Sequence, residues 1–480
     1  MSASPFWGGA LSKRGAAQLT PGRPWNLDRM KTMERLVGAS FLLAAGLWQT
    51  EPYAQDAPPP NTETPHEVGP SQAPAASTEN VITRFEAEIE IRRLVAAEQY
   101  AEAAELGAQW ISLTEAEFGP QSLEAADAYA TLAVAQSKLG ENTEAEKNYL
   151  HSLGIYREVA GPFDVVLIEP LLGLGDNYQQ SGEYPNAVSA YNEARTVSRR
   201  VYGLQNEGQI EMLDRLTETY GQMNDPIEAH ARQLEALQLV ARNHEASSPE
   251  ALEAVYKYAL WLRAAHRYTE EREQYLRAER VIADRHGDTS VMLVRPLRER
   301  AISLRVQGSA APHGISALRD ALELVEAQVN PDPLMLAEVL RDLGDWDVAF
   351  ARIGTQDGEY LRSWELLGVV PNGEELRKSW YGGIEAVLSA PLSPRSLTND
   401  PGAPRGHVLV RFDIDATGRT QNVTVVSSEP VGLKDEAVAR HIRESRFRPN
   451  IVDGRLVTTR GRALDVVFRY VRNEPPTSED

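Results

Sequence analysis

The chain contains no cysteine in its 480 residues. Disulfides, thiolate nucleophiles, cysteine-ligated zinc and a lipid-anchoring cysteine are therefore excluded. Positive charge is scarce as well: 49 Lys and Arg stand against 69 Asp and Glu, a formal charge of −20. Nonspecific nucleic-acid binding needs a basic stripe that displaces counterions, so no nucleic-acid partner is expected. Long apolar runs are missing too. The nearest is residues 36–48, thirteen mostly apolar positions, which as a helix reach only ~20 Å against a hydrocarbon core of ~30 Å. Catalytic signatures are equally thin. There is no P-loop, nucleophile elbow or His-Glu-x-x-His, and the nine histidines show no metal-ligand spacing. Gly173-Leu174-Gly175 reads as small residues permitting helix contact rather than as a phosphate loop. His441 reads as part of a solvated helix face, and residues 269–285, rich in Glu and Arg, as an exposed face laced by i,i+4 pairs. No catalytic residue, cofactor or metal is expected, and the chain reads as non-enzymatic.

What is present begins with Met30, which opens Met-Lys-Thr-Met-Glu-Arg before the short apolar run and Tyr53-Ala54-Gln55. A short basic region, a short apolar region and a small residue at a cut make a secretory signal peptide. Residues 1–54 are thus expected to be removed on export, with Met30 as the true initiator. An uncleaved segment would instead anchor the chain in the inner membrane. Residues 52–74 hold seven prolines in 23 positions, and 55–83 is expected to be a disordered tether spanning ~80 Å when extended.

From residue 84 the sequence beats at 42 residues. Glu98, Gly140, Gly182, Asn224, His266 and Gly308 mark turn-like contexts at that step. Leu132, Leu174, Leu216 and Tyr258 stand eight residues before the marker. Tyr129, Leu171, Leu213, Val255 and Leu297 stand eleven before it. These offsets fall on one helix face. Ala145, Ala187 and Ala229 follow five residues after, small enough for two helices to cross closely. A two-helix unit at fixed period is the mark of an α-solenoid. The pattern resembles tetratricopeptide repeats in a longer-helix form, six units to about residue 330 and a degenerate seventh through Trp346 and Trp364, the array covering 84–370. The resemblance implies a concave face that holds a peptide or protein partner. Residues 371–405, with Pro391, Pro394, Pro401 and Pro404, read as a linker.

Charge changes sign in the final segment: residues 84–370 hold 27 basic and 47 acidic side chains, and 406–472 hold 12 and 8. Val408, Val410, Phe412 and Ile414 alternate with polar neighbours, a turn follows at Asp415 to Arg419, and Val423 and Val425 continue a second strand. Leu433, Ala437, Val438 and Ile442 make a helical stripe, and Leu464, Val466, Phe468 and Tyr470 alternate again. The expectation is a small α+β domain over 406–472 with a three-stranded antiparallel sheet and a disordered tail at 473–480, in an otherwise mainly α chain.

Gly406-x-Val408-x-Val410-x-Phe412-x-Ile414, Gly418, Asn422-Val423-x-Val425, Phe447-Arg448-Pro449 and Asp453-Gly454 resemble the C-terminal domain of the TonB family. That resemblance implies β-augmentation, the capture of an extended segment of an outer-membrane receptor at the sheet edge. The last strand is then the candidate dock, with Arg462, Leu464, Val466, Phe468 and Tyr470 as partner-binding residues. The family's energy transducers carry an uncleaved anchor and a long proline-rich rod, whereas here a helical array fills the middle. With the signal peptide, the resemblance implies a non-enzymatic protein-binding adaptor in the periplasm of a Gram-negative bacterium; the alternative is a membrane-anchored energy transducer for outer-membrane transport.

Overall fold

A computed structural model of the chain describes residues 83–350, 356–392, 397 and 403–471. The signal segment, the Met30 start, the proline-rich tether and the tail at 473–480 lie outside the described residues. Among those residues no helix is long and apolar enough to cross a membrane. The chain divides into two compact bodies, one ending at His244 and the other beginning at Glu245.

The first body holds α1 (Arg84–Ala96), α2 (Tyr100–Phe118), α3 (Leu123–Leu139), α4 (Asn142–Val159), α5 (Ile168–Gln180), α6 (Tyr184–Tyr202), α7 (Gln209–Gln222) and α8 (Pro226–Asn243). Each packs on its sequence neighbours. The 42-residue beat has a backbone cause. Glu98, Gly140, Gly182 and Asn224 take φ of 58°, 81°, 79° and 57°. A left-handed residue ends the first helix of each pair and turns the chain into the second. Helix starts are set by side chains: Ser122 accepts from Ala125 N–H, and Asp225 from Ile227 and Glu228 N–H, satisfying donors the helix leaves open.

Packing inside this body explains the bare Gly-x-Gly. A Cβ on Gly173 would lie 2.5 Å from Tyr149 Oη, and one on Gly175 2.3 Å from the Tyr191 ring. Both tyrosines are buried beside Ala145, Ala187, Leu171 and Leu174. The glycines let an aromatic ring from the neighbouring helix lie on the backbone of α5.

The second body continues with α9 (Pro249–Ala264), α10 (Tyr268–His286), α11 (Val294–Val306), α12 (Pro312–Glu326), α13 (Pro333–Ala349) and α14 (Gln356–Leu366). His266 and Gly308 repeat the left-handed turn at 58° and 78°, but the next step, Phe350, has φ −109°, and the beat stops. The expected exposed face over 269–285 needs correction. Glu271 on α10 is fully buried, accepting from Arg263 Nε at 2.6 Å and Ser303 Oγ at 2.7 Å. A buried carboxylate persists only when paired and hydrogen-bonded, and Arg263 and Ser303 supply both.

Residues 371–405, expected to be a linker, carry α15 (Gly373–Tyr381) and β1 (Ala386–Leu388). After them come β2 (Arg405–Ile414), β3 (Thr420–Glu429), α16 (Asp435–Glu444), β4 (Arg446–Phe447), β5 (Asn450–Val452), β6 (Arg455–Val457) and β7 (Thr459–Arg469). The main sheet is antiparallel in the order β3–β2–β7, and β1 pairs with β4 away from it. Val408, Val410, Phe412 and Ile414 alternate inward on β2 against Val438 and Ile442 of α16, closed by Phe447 and Phe468. His441 is not simply solvated: its Nδ1 lies 2.6 Å from the Ala390 carbonyl, within the segment that follows β1.

Candidate docking edge of the carboxy-terminal module

The segment 373–392 works as a strap between the last helices and the sheet. Val387 of β1 is buried with Ala337, Val348, Tyr360, Leu367, Tyr381 and Ile451 in one cluster drawn from α13, α14, α15 and β5. At its centre sits Asp345 of α13, completely buried. Arg448 grips it bidentately, Nε to Oδ1 at 2.8 Å and Nη2 to Oδ2 at 2.7 Å. Tyr360 Oη donates to Oδ1 at 2.8 Å, and Arg305 approaches Oδ2 at 3.4 Å. Arg448 Nη1 also donates to the Trp380 carbonyl at 3.0 Å, and Arg305 to the Val387 carbonyl. Burial opposes the charge on Asp345, but Arg448 and Arg305 outweigh it and hold the carboxyl below its usual range. The same burial, together with that carboxylate, pushes the Tyr360 phenol well up.

Strand β7 forms one edge of the sheet. Its pairing with β2 is regular from Arg405↔Arg469 to Phe412↔Arg462. Tyr470 N–H donates to Pro404 O at 3.1 Å, in the position directly opposite. Hydrogen-bonded pairs alternate along an antiparallel ladder, so Arg462, Leu464, Val466, Phe468 and Tyr470 turn their N–H and C=O toward β2. Their side chains lie on the core side: Phe468 is buried, and Leu464, Val466 and Tyr470 pack against the same cluster. The alternate set, Ala463, Asp465 and Val467, points its N–H and C=O outward, and its side chains are exposed on the opposite face.

The edge is bounded by the strap. Arg462 Nη2 donates to Gly382 O at 2.9 Å, and Gly461 N–H to Asp413 Oδ1 at 2.7 Å. At the far end Leu397 forms an isolated antiparallel bridge with Tyr470. Among the described residues nothing else pairs with the outer side of β7. Among the described residues the outward backbone groups of Ala463, Asp465 and Val467 take no strand partner, which is the geometry that accepts an added strand.

Residues 403–470 match the family described as Gram-negative bacterial TonB protein C-terminal. They form a TonB-type C-terminal domain. Ahead of it, residues 125–165 and 167–241 match two descriptions of the tetratricopeptide repeat. Protein TonB of Salmonella typhimurium is 28% identical over 92 residues, covering 17% of this chain and 36% of that protein. The chain thus spans about a third of the length of that relative. Among solved structures, tetratricopeptide-like repeats of a Podosopora anserina kinesin light chain align with 42% of this chain and 96% of that one, at 17% identity and a TM-score of 0.37. The C-terminal part of a repeat protein from Cytophaga hutchinsonii aligns with 60% and 97%, at 12% identity and a TM-score of 0.36.

The sequence pattern points to β7 as the candidate dock, and the residues it names there, Arg462, Leu464, Val466, Phe468 and Tyr470, face the core and β2. Period two reports which side chains are buried, whereas strand addition would use the backbone groups of the other parity. Asp345, Arg305 and Tyr360 were not anticipated. The available signal was Asp342 and Asp345 set among the apolar residues Val339, Leu340, Leu343 and Trp346, since buried carboxylates require cationic partners.

Proposed function

We propose that this protein is a periplasmic adaptor of the cell envelope that captures an extended segment of an envelope partner by strand addition at β7. The repeats supply a second protein-binding surface. The observation that supports this reading is the row of outward backbone groups over 463–467, which among the described residues has no strand partner between the Arg462–Gly382 contact and the Leu397–Tyr470 bridge. The energy-transducing alternative is less favoured because the domain does not hang from a free rod: Arg448, β1 and α15 knit it to α13.

The test places a photo-crosslinking amino acid at position 465 of the full-length protein in cells. Adducts with envelope proteins are expected, and Val467→Pro should abolish them. That change removes an outward N–H, which an edge strand tolerates. Val466→Pro removes a ladder N–H to β2 and should unfold the domain. Adducts that persist undiminished in a folded Val467→Pro protein would rule out strand addition at this edge.

A further inference from the structure

Resting on the strand-addition reading, the chemistry of the edge also restricts what it accepts. On the core side, an added strand would extend the row Leu464 and Val466, which are only half-buried. Helix α16 lies over β3 and β2, while Ile384, Ala386 and Leu392 from the strap, together with Leu397, contribute to the apolar cluster that Leu464 and Val466 join. A side chain placed next to that row meets apolar surface. On the outer side the neighbours are Ala463, Asp465 and Val467, and Val467 is 59% exposed. Asp465 lies opposite Leu409, and the two basic residues nearest to it across the ladder, Arg411 and His407, stand opposite Ala463 and Val467, each one step diagonal. Among the described residues neither Asp465 nor Arg411 takes part in an ion pair. The edge therefore presents one uncompensated carboxylate midway along the open row.

We propose that β7 selects an extended segment with apolar side chains at alternate positions and a cationic side chain between them, set opposite Asp465. The row is short, because Arg462 is tied to Gly382 at one end and Leu397 bridges Tyr470 at the other. About five residues can pair before the partner chain must turn away, close to the length of an ordinary strand. Oppositely charged residues directly across an antiparallel pair attract and like charges repel, so the partner's charge at this position sets specificity.

The experiment measures fluorescence anisotropy of two capped, labelled peptides, Thr-Val-Lys-Val-Thr and Thr-Val-Glu-Val-Thr, with the full-length protein at low salt. The lysine peptide should bind about fivefold more tightly, the size expected when one cross-strand pair changes from attraction to repulsion. Asp465→Lys should reverse the order, and Val467→Pro should abolish both. Equal binding of the two peptides, with Val467→Pro still abolishing it, overturns the charge selectivity and leaves strand addition standing. Binding of neither peptide, or binding untouched by Val467→Pro, overturns the strand-addition reading and the selectivity with it.

Discussion

Arg448 belongs to the Phe447-Arg448-Pro449 run that marks the TonB-type domain, yet its guanidinium ends on Asp345 of the preceding helices. Removing one member of such a pair leaves the others buried without compensation, which costs about 3–5 kcal/mol. Asp345→Asn should therefore destabilise the second body by that order, read as a lowered denaturant midpoint. The pH dependence has a definite sign. A carboxyl whose folded pKa is depressed stabilises above its unfolded pKa of about 4, and that contribution fades as pH falls toward the folded value. Wild-type stability should decline below about pH 4, and the decline should be shallower in Asp345→Asn; equal slopes would remove Asp345 as its source. The carboxylates of α13 stand out in the helix sequence, but the pairing of Asp345 with Arg448 was not legible, because it joins residues 103 positions apart.

The helical elements were the most legible part of the chain. All six turn markers chosen by spacing take left-handed φ, since the period records a turn that recurs with each helix pair. Glycines within helices carry different meanings, and the structure separates them. Gly175 faces the Tyr191 ring, whereas a Cβ on Gly154 in α4 meets nothing within 4 Å. Gly154→Ala should stabilise the first body by about 1 kcal/mol through helix propensity. Gly175→Ala should destabilise it by about 1–2 kcal/mol, overpacking outweighing that gain. Thermal melts of the two variants moving in the same direction would contradict the packing assigned to α5. Strand β1 escaped notice because three residues show no period, and prolines around it read as punctuation. The sheet strands were legible by alternation, but alternation names the buried parity alone. The outward set on β7 needed the ladder itself.

At the scale of the molecule, the carboxy-terminal domain is not a detachable module. Its β4 pairs with β1, Arg448 inserts beside α13, and Arg462 holds the end of α15. A fragment beginning near residue 403 would lack β1 and Asp345, exposing Phe447 and leaving Arg448 without its partner. That fragment should melt well below a fragment spanning 245–480, by circular dichroism or by dispersion of its amide resonances. Equal stability would show that the strap is dispensable. A strand captured at β7 would extend a domain that is fixed to α13 through Arg448 and to the end of α15 through Arg462. The measurement that tests this account most directly is residue-resolved amide hydrogen exchange along β7 in the free, full-length protein. An open edge gives an alternating record, with Ala463, Asp465 and Val467 exchanging fast and Leu464, Val466 and Phe468 protected. Uniform protection across 463–467 would mean that the edge is already covered, and would contradict this account.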